Sequence, residues 1–152
     1  MKKEESIDYN IKTTWHAISR MYNQYGQDFG LTSSAGFVLL NVDFEEGTPA
    51  TKIAPLMGLE ARSLTRVLKS LEERELIYRQ PDEIDGRSVR IFLTKEGKIK
   101  REIAKKAVMA FNEMVVKKVG SRKMQSFFET IIKVQNIVND KKLIQETIKD
   151  IK

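Results

Sequence analysis

One short segment in the middle of the chain has basic and hydroxyl side chains along one face. It spans residues 59–71, with the sequence LEARSLTRVLKSL. Its apolar stripe follows helical spacing and consists of Leu64, Val67, Leu68 and Leu71. Its opposite face consists of Arg62, Ser63, Arg66 and Lys69. Arginine bonds two acceptors of one guanine and serine bonds base edges or phosphates, so this face suits a DNA major groove. An ordinary solvated helix shows the same pattern.

A second basic group follows in a loop between two predicted strands. The run Asp85-Gly86-Arg87-Ser88 places an arginine at the predicted tip of a two-stranded ribbon. Such an arginine can enter a narrow minor groove, where the negative potential is enhanced. Asp85 is close enough in sequence to orient Arg87 through a charge-assisted hydrogen bond. Arg90 lies further back on the polar face and is a further predicted DNA contact. An isolated Asp-Gly-Arg run is equally typical of an exposed hairpin turn.

Composition removes most catalytic and metal chemistry. The chain has no cysteine and one histidine, His16, which excludes disulfides, Cys–zinc sites and thiol redox chemistry. Loop carboxylates such as Glu45 and Glu83 have no partner histidine or glycine-rich phosphate loop nearby, so an enzyme is the weakest hypothesis. We expect no cofactor and no metal site. The formal net charge of +6 favours anionic partners.

The basic segment is predicted to be the second helix of a helix-turn-helix. Thr48-Pro49 is the start signal of the first helix, with a capping hydroxyl followed by a proline in the first turn. Gly58 ends that helix and leads into the basic one. Residues 76–79 are expected to form a short strand, and the period-two pattern of residues 89–93 predicts its partner. The loop between these strands is therefore a predicted wing.

Long helices are predicted on both sides of this middle part. Residues 1–30 carry apolar side chains at spacings of three and four and end at Gly30. Thr94 caps another long helix, and Gly120-Ser121 is a break and a new cap before the last one. Helical spacing of apolar residues continues into the lysine-rich tail, residues 140–152.

These elements predict a mainly α fold of the α+β winged helix-turn-helix class. We expect about six helices and a wing sheet of two or three strands. A length of 152 residues corresponds to one domain by the usual allowance of roughly 150 residues. Within the single chain 1–152, the winged helix-turn-helix lobe is predicted at residues 32–97, between helical regions at 1–30 and 98–152.

The order of these parts resembles the MarR family of bacterial winged-helix regulators. The motif is an aspartate, one residue and an arginine, then an alternating strand, then Leu-Thr-x-x-Gly. This chain has Asp85, Arg87, Leu93, Thr94 and Gly97 in that register. The order of the helices resembles that of the family along the whole chain. The motifs that are specific to the family lie between about residue 48 and residue 97.

The resemblance implies a homodimer whose terminal helices, 1–30 and 98–152, form the dimerisation region. Each subunit would present one lobe to double-stranded DNA at a pseudo-palindromic site. Carried over by position, four residues would face the major groove or its phosphates: Arg62, Ser63, Thr65 and Arg66. Arg87 would be the minor-groove residue, with Asp85 as its organiser. Many family members bind a small phenolic or anionic ligand between the dimer helices and the DNA lobe, and then lose DNA affinity.

Three positions depart from the family pattern. Glu60 stands where a capping serine or aspartate is usual, so the helix cap is weaker. Glu75 stands where glycine commonly ends the recognition helix, so a non-glycine residue must accept that turn. Pro55 removes a backbone donor inside the short helix and would kink it unless the helix is very short.

Aromatic residues in the first two helices are the candidates for an effector pocket. The set is Trp15, His16, Tyr22 and Phe37. Aromatic rings with polar tips suit a ligand pocket, but the same residues are commonly plain core or dimer contacts. The excess of apolar residues on the terminal helices likewise fits either a dimer interface or an intramolecular bundle. His16 without a second histidine is a poor metal ligand.

The leading hypothesis is a sequence-specific, DNA-binding homodimeric transcriptional regulator. We expect a repressor of the MarR type that a small ligand releases. The alternative is a helical ligand-binding or protein-interaction module that has the winged-helix shape and does not read DNA. No apolar stretch approaches the ~20 residues that span a bilayer, and the first residues do not form a secretory signal, so we expect no membrane partner and a cytoplasmic location.

Overall fold

The computed structural model describes residues 2–58, 61–83 and 88–149, and in that part the chain forms seven α-helices and one small sheet. The helices are α1 (Ile7–Gly26), α2 (Ser33–Asn41), α3 (Ala50–Met57), α4 (Ala61–Glu73), α5 (Lys95–Val119), α6 (Ser121–Asn139) and α7 (Lys141–Ile148). The strands are β1 (Thr48–Pro49), β2 (Ile77–Pro81) and β3 (Val89–Leu93). This confirms the mainly α winged helix-turn-helix fold. The lysine-rich tail forms a helix of its own because the Asp140 side chain caps it, accepting from the N–H groups of Lys142 and Leu143.

The core lies between α2, α3, α4 and the sheet. Its fully buried side chains include Leu39 from α2, Ile53 from α3, Leu71 from α4 and Ile91 from β3. Burial of each such side chain stabilises the fold by about 1.5–3 kcal/mol. Three of the four residues of the predicted α4 stripe are buried, and Val67 is partly buried. The apolar stripe therefore orients α4 and leaves its polar face outward.

The sheet is antiparallel, with the strand order β1-β3-β2. Residue Thr48 lies opposite Ile91 in the sheet. The predicted start of the first helix of the helix-turn-helix, α3, is therefore a strand instead. The Thr48 hydroxyl accepts the Asp43 N–H at 2.8 Å and donates to the Asn41 carbonyl at 3.2 Å. The predicted Thr48 cap was wrong because strand pairing and these loop contacts occupy that residue. Helix α3 begins at Ala50 and has no side-chain cap.

Several helix boundaries follow the turn residues, but the predicted helix over residues 1–30 is shorter, because α1 ends at Gly26 and a separate 3-10 turn, Gln27–Phe29, leads to Gly30. Gly30 and Gly58 adopt left-handed backbone conformations at φ values of 65° and 60°. Glu75 has a φ of 55°, which confirms that a non-glycine residue accepts the turn after α4. Pro55 lies inside α3, which is only eight residues long. The weak cap expected at Glu60 lies outside the described residues.

The chain divides into two compact units, Met1–Val108 and Met109–Lys152. In the second unit, Gly120 has a φ of 95° and occupies the cap position, so the predicted cap at Ser121 was wrong. Ser121 is instead the first residue of α6. None of the described helices is both long enough and apolar enough to cross a bilayer.

Candidate nucleic-acid interface

Helix α4 presents its five predicted DNA-contacting residues to solvent. Every one of these side chains is exposed: Arg62, Ser63, Thr65, Arg66 and Lys69. On the opposite side of the same helix, Leu64, Leu68 and Leu71 are buried in the core. The helix period thus separates a fixed apolar face from a free polar face. We call the five exposed residues the α4 polar face.

Among the described residues, the charges on the α4 polar face have few anionic partners. Within residues 2–58, 61–83 and 88–149, neither Arg62 nor Arg66 forms an ion pair. Lys69 lies 3.8 Å from a Glu73 carboxylate oxygen, with side-chain exposures of 74% and 64%. Such an exposed pair is worth about 0–1 kcal/mol and is readily exchanged for a phosphate. The three cations are therefore available to an anionic partner.

The Thr65 hydroxyl can act as a hydrogen-bond acceptor for a partner. It donates to the Ala61 carbonyl one turn earlier, at 2.9 Å. A hydroxyl has one hydrogen and two lone pairs, so the oxygen remains an acceptor. In this geometry the oxygen suits a base amino group better than a phosphate, which is itself an acceptor, and the threonine methyl suits a thymine methyl.

A groove of about 560 Å³ runs beside the α4 polar face. Residues of α3, α4, β2 and β3 line it, with apolar residues such as Ala54 and Leu64 and polar ones such as Thr65 and Ser88. Arg79 on its rim donates from Nε to a Glu72 carboxylate oxygen at 2.9 Å. The recognition helix and the wing strands thus border one concave surface.

The wing is described at its base. Strands β2 and β3 pair from Ile77 with Leu93 to Pro81 with Val89, and the Asp82 N–H donates to the Ser88 carbonyl at 3.0 Å. The predicted minor-groove residue Arg87 and its organiser Asp85 lie outside the described residues. Their roles remain predictions.

Arg90 points into the protein. Its Nε and Nη2 atoms each lie 3.1 Å from Oδ2 of Asp82, a buried residue. Its Nη1 atom donates to the carbonyl oxygens of Glu46 and Gly47 at 3.2 and 3.3 Å. The guanidinium therefore has protein acceptors at all three nitrogens. Its predicted contact with DNA stays a prediction, and these partners favour a different role.

The loop between α2 and β1 is organised by a carboxylate. Oδ1 of Asp43 accepts the N–H groups of Glu45 and Glu46 at 2.9 and 2.8 Å. These two bonds, with smaller contributions from the charges of Arg101 and Arg90, hold the pKa of Asp43 below its ordinary value. Because a hydrogen-bonded carboxylate favours its charged form, the loop keeps its shape at neutral pH.

The structure brings three of the four predicted pocket residues together. The Phe37 ring centroid lies 5.6 Å from that of Trp15 and 5.8 Å from that of Tyr22. Tyr22 and Phe37 also line a cavity of about 40 Å³ in the first unit, together with Gly36 and Ala104. Burial raises the pKa of the Tyr22 phenol, so it remains protonated at neutral pH. His16 is exposed and does not line this cavity.

Sequence reasoning missed the contacts that secure the 3-10 turn after α1 (Gln27–Phe29) and its last carbonyl groups. Lys100 donates from Nζ to the Phe29 carbonyl at 3.0 Å, and Arg74 donates to the Gly30 carbonyl. Cations near the carbonyl end of a helix interact favourably with its dipole. Lys100 and Arg74 are far from Phe29 and Gly30 in the sequence, so no local sequence pattern predicts these contacts. Asp82 was missed because it reads as one of several loop carboxylates.

Known proteins are similar to this chain in sequence. The sequence model of the MarR family matches residues 31–89. The HTH-type transcriptional regulator SarZ of Staphylococcus aureus (strain MRSA252) is 34% identical over 97 residues, which cover 63% of this chain and 66% of SarZ. The matched segment thus spans slightly less than two thirds of that relative's length.

Solved structures share the fold at lower identity. The S. aureus MepR–DNA complex has a TM-score of 0.78 and 20% identity, covering 86% of this chain and 97% of that one. CouR from Rhodococcus jostii RHA1, bound to p-coumaroyl-CoA, has a TM-score of 0.75 and 22% identity, covering 93% and 97%. At these identities the likeness is one of fold.

Proposed function

Since the MarR family model matches residues 31–89 of this chain, we propose that it is a MarR-type DNA-binding regulator of transcription and has no enzymatic activity. The observation that carries the proposal is the α4 polar face, with Arg62, Arg66 and Lys69 exposed on a helix whose other side is locked into the core. A recognition helix needs both properties, because the buried side sets its direction and the exposed side reads base edges. The MepR structure, a DNA complex, supports this use of the fold.

We propose that the protein acts as a homodimer. In the first unit, the apolar residues Ile7, Ile11 and Trp15 of α1 are about half exposed or more. In the second unit, Phe127, Ile132 and Val138 of α6 are likewise exposed. Each of these faces has the apolar character of a protein interface. A two-fold dimer would read a pseudo-palindromic site with half-sites about one helical turn, roughly 10 bp, apart.

We propose repression that a small ligand relieves, with the effector at the cavity lined by Tyr22 and Phe37. The cavity of about 40 Å³ is far below the roughly 300–1,000 Å³ of ordinary ligand pockets. An effector must therefore displace side chains, such as that of Phe37, which lines the cavity and packs against Trp15. CouR, which was solved with p-coumaroyl-CoA, supports ligand binding by this fold. The proposal places the protein in the cytoplasm and requires no cofactor.

The test is selection of bound duplexes from a random pool by the purified protein. The Arg62→Ala/Arg66→Ala double variant is run beside it. The matched control is Lys117→Ala/Lys118→Ala, which removes the same charge from exposed positions on α5. We expect an inverted repeat from the wild type and the control, and none from the α4 variant. Enrichment of no sequence by the wild type at moderate salt would favour a protein-interaction module that does not read DNA.

A further inference from the structure

The base of the wing is held by an ion pair that is largely removed from water. The Asp82 side chain is 4% exposed and the Arg90 side chain 22% exposed. Asp82 directly follows β2, and its backbone N–H closes the hairpin on the Ser88 carbonyl. The carboxylate therefore lies at the neck of the wing loop, where the two strands separate.

The same guanidinium reaches the loop between α2 and β1. Its Nη1 atom donates to the carbonyls of Glu46 and Gly47, 3.2 and 3.3 Å away. That loop is itself ordered by the Asp43 carboxylate and by Thr48, which pairs with β3. One side chain on β3 thus joins the neck of the wing to the body of the lobe. Breaking a buried charge pair is strongly unfavourable, so this geometry is sharply determined.

Arg90 differs from the arginines of α4 in its exposure and in its hydrogen-bond partners. Arg62 and Arg66 are exposed, whereas the three nitrogens of Arg90 already face protein acceptors. A phosphate contact would have to compete with a carboxylate and two carbonyls that are already in place. The arrangement suits a residue that orients its neighbours better than one that binds a ligand.

We propose that Arg90, with Asp82, is a positioning residue that sets the direction of the wing and thereby the contribution of Arg87 to DNA binding. The inference rests on the proposed function and on the minor-groove role that the sequence predicts for Arg87. Arg90 acts through the neck of the wing, so its effect on affinity requires Arg87 to be present.

A double-mutant cycle tests this dependence. Affinities for the selected duplex are measured for the wild type, Arg87→Ala, Arg90→Gln and the double variant. Arg87→Ala should weaken binding about 5- to 150-fold, the range of one good contact. The loss of affinity in Arg90→Gln should not exceed the loss in Arg87→Ala. In the Arg87→Ala background, Arg90→Gln should change affinity by less than about twofold.

Two controls separate positioning from a direct contact. Arg62→Gln makes the same chemical change on the exposed α4 polar face, and its loss should add to that of Arg87→Ala. Arg90→Lys keeps the charge but has a single ammonium, which cannot bond Asp82 and the Glu46 carbonyl in the same way, so binding should be partly retained. In the Arg87→Ala background, Arg90→Gln should also leave the salt slope unchanged, whereas losing a phosphate contact lowers it by about one.

A DNA-free readout keeps the proposal testable if Arg90→Gln is too unstable for binding work. Hydrogen exchange of the Asp82 amide should be faster in Arg90→Lys, while the amides of α4 keep their protection. Independent, multiplicative losses in the cycle, or unchanged Asp82 exchange, would overturn the positioning role. Failure of the wild type to bind any duplex would overturn the proposed function instead, so the two failures are distinguishable.

Discussion

The Thr94 hydroxyl donates to the Glu75 carbonyl at 2.7 Å, which joins the start of the long helix α5 to the turn after the recognition helix. The same oxygen accepts the Gly97 N–H at 3.0 Å and so caps α5. Glu75 holds a left-handed backbone conformation at this point. A single hydroxyl therefore links α4, the turn after it and α5 within the first unit.

Removing this hydroxyl should destabilise the lobe. Thr94→Val keeps the shape of the side chain but loses both hydrogen bonds. We expect the free energy of unfolding to fall by about 0.5–2 kcal/mol, the range of a lost helix cap. Chemical denaturation measures the change. Thr94→Ser retains the hydroxyl and should stay close to the wild type, and equal losses in both variants would contradict the role of the hydroxyl.

Gly97 is required by a close backbone approach. A Cβ at this position would overlap the Leu76 carbonyl oxygen, so Gly97→Ala forces α5 away from the start of β2. We expect a loss of about 1–3 kcal/mol or more in the free energy of unfolding.

Gly58→Ala is the matched control for this prediction. Gly58 has a φ of 60°, and in the described part of the chain a Cβ added to it would meet nothing within 4 Å beyond its own chain neighbours. The substitution therefore adds backbone strain without a clash, and its cost should be about 1–2 kcal/mol. The two variants are compared by thermal unfolding. A smaller loss of stability in Gly97→Ala than in Gly58→Ala would refute the steric explanation.

Lys69 and Arg66 should differ in how they affect DNA binding. Lys69 is an exposed ammonium 3.8 Å from a Glu73 carboxylate oxygen, so Lys69→Ala should weaken binding to all duplexes alike and lower the salt slope by about one. Arg66→Ala should also reduce discrimination between the selected site and a scrambled one. Salt titrations on both duplexes make the comparison. A sequence-dependent effect of Lys69→Ala would speak against a phosphate contact.

Stability should depend on pH through Asp43. Its folded pKa is lowered by the N–H groups of Glu46 and Glu45, so its contribution is present above the ordinary carboxyl pKa and is lost as pH falls through the folded value. The wild type should therefore lose its stability advantage over Asp43→Asn below about pH 4. Denaturation of both proteins between neutral and acidic pH measures this. An advantage that persists unchanged at the acidic end would rule out the charged carboxylate as its source.

The proposed dimer should depend on the exposed apolar face of α1. Ile11→Asp places a charge on that face and should shift the scattering mass in dilute solution from dimer to monomer. Thr13→Asp adds the same charge elsewhere on the helix, at an exposed position, and should leave the mass unchanged. A monomeric wild type, or a dimeric Ile11→Asp variant, would oppose this interface.

The apolar stripe of a helix was predictable because its causes are local. The spacing of Leu64, Leu68 and Leu71 follows the helical period, so the sequence predicted both the buried stripe of α4 and the exposed face of Arg62 and Arg66. Gly30 and Gly58 punctuate the chain through their own backbone freedom. The α4 polar face therefore follows from the spacing of residues within one helix.

Other features depend on contacts between distant parts of the chain. Thr48 has the sequence signature of a helix cap, but pairing with Ile91 makes it a strand. Arg90 and Arg66 are equally basic in the sequence, yet only the fold brings a buried carboxylate and the Glu46 carbonyl to Arg90. The sequence by itself determined which helices form and which α4 residues face outward, because helical period and turn chemistry act over a few residues. Only the tertiary structure decided that Arg90 is enclosed, because burial and hydrogen-bond partners arise when distant segments pack together.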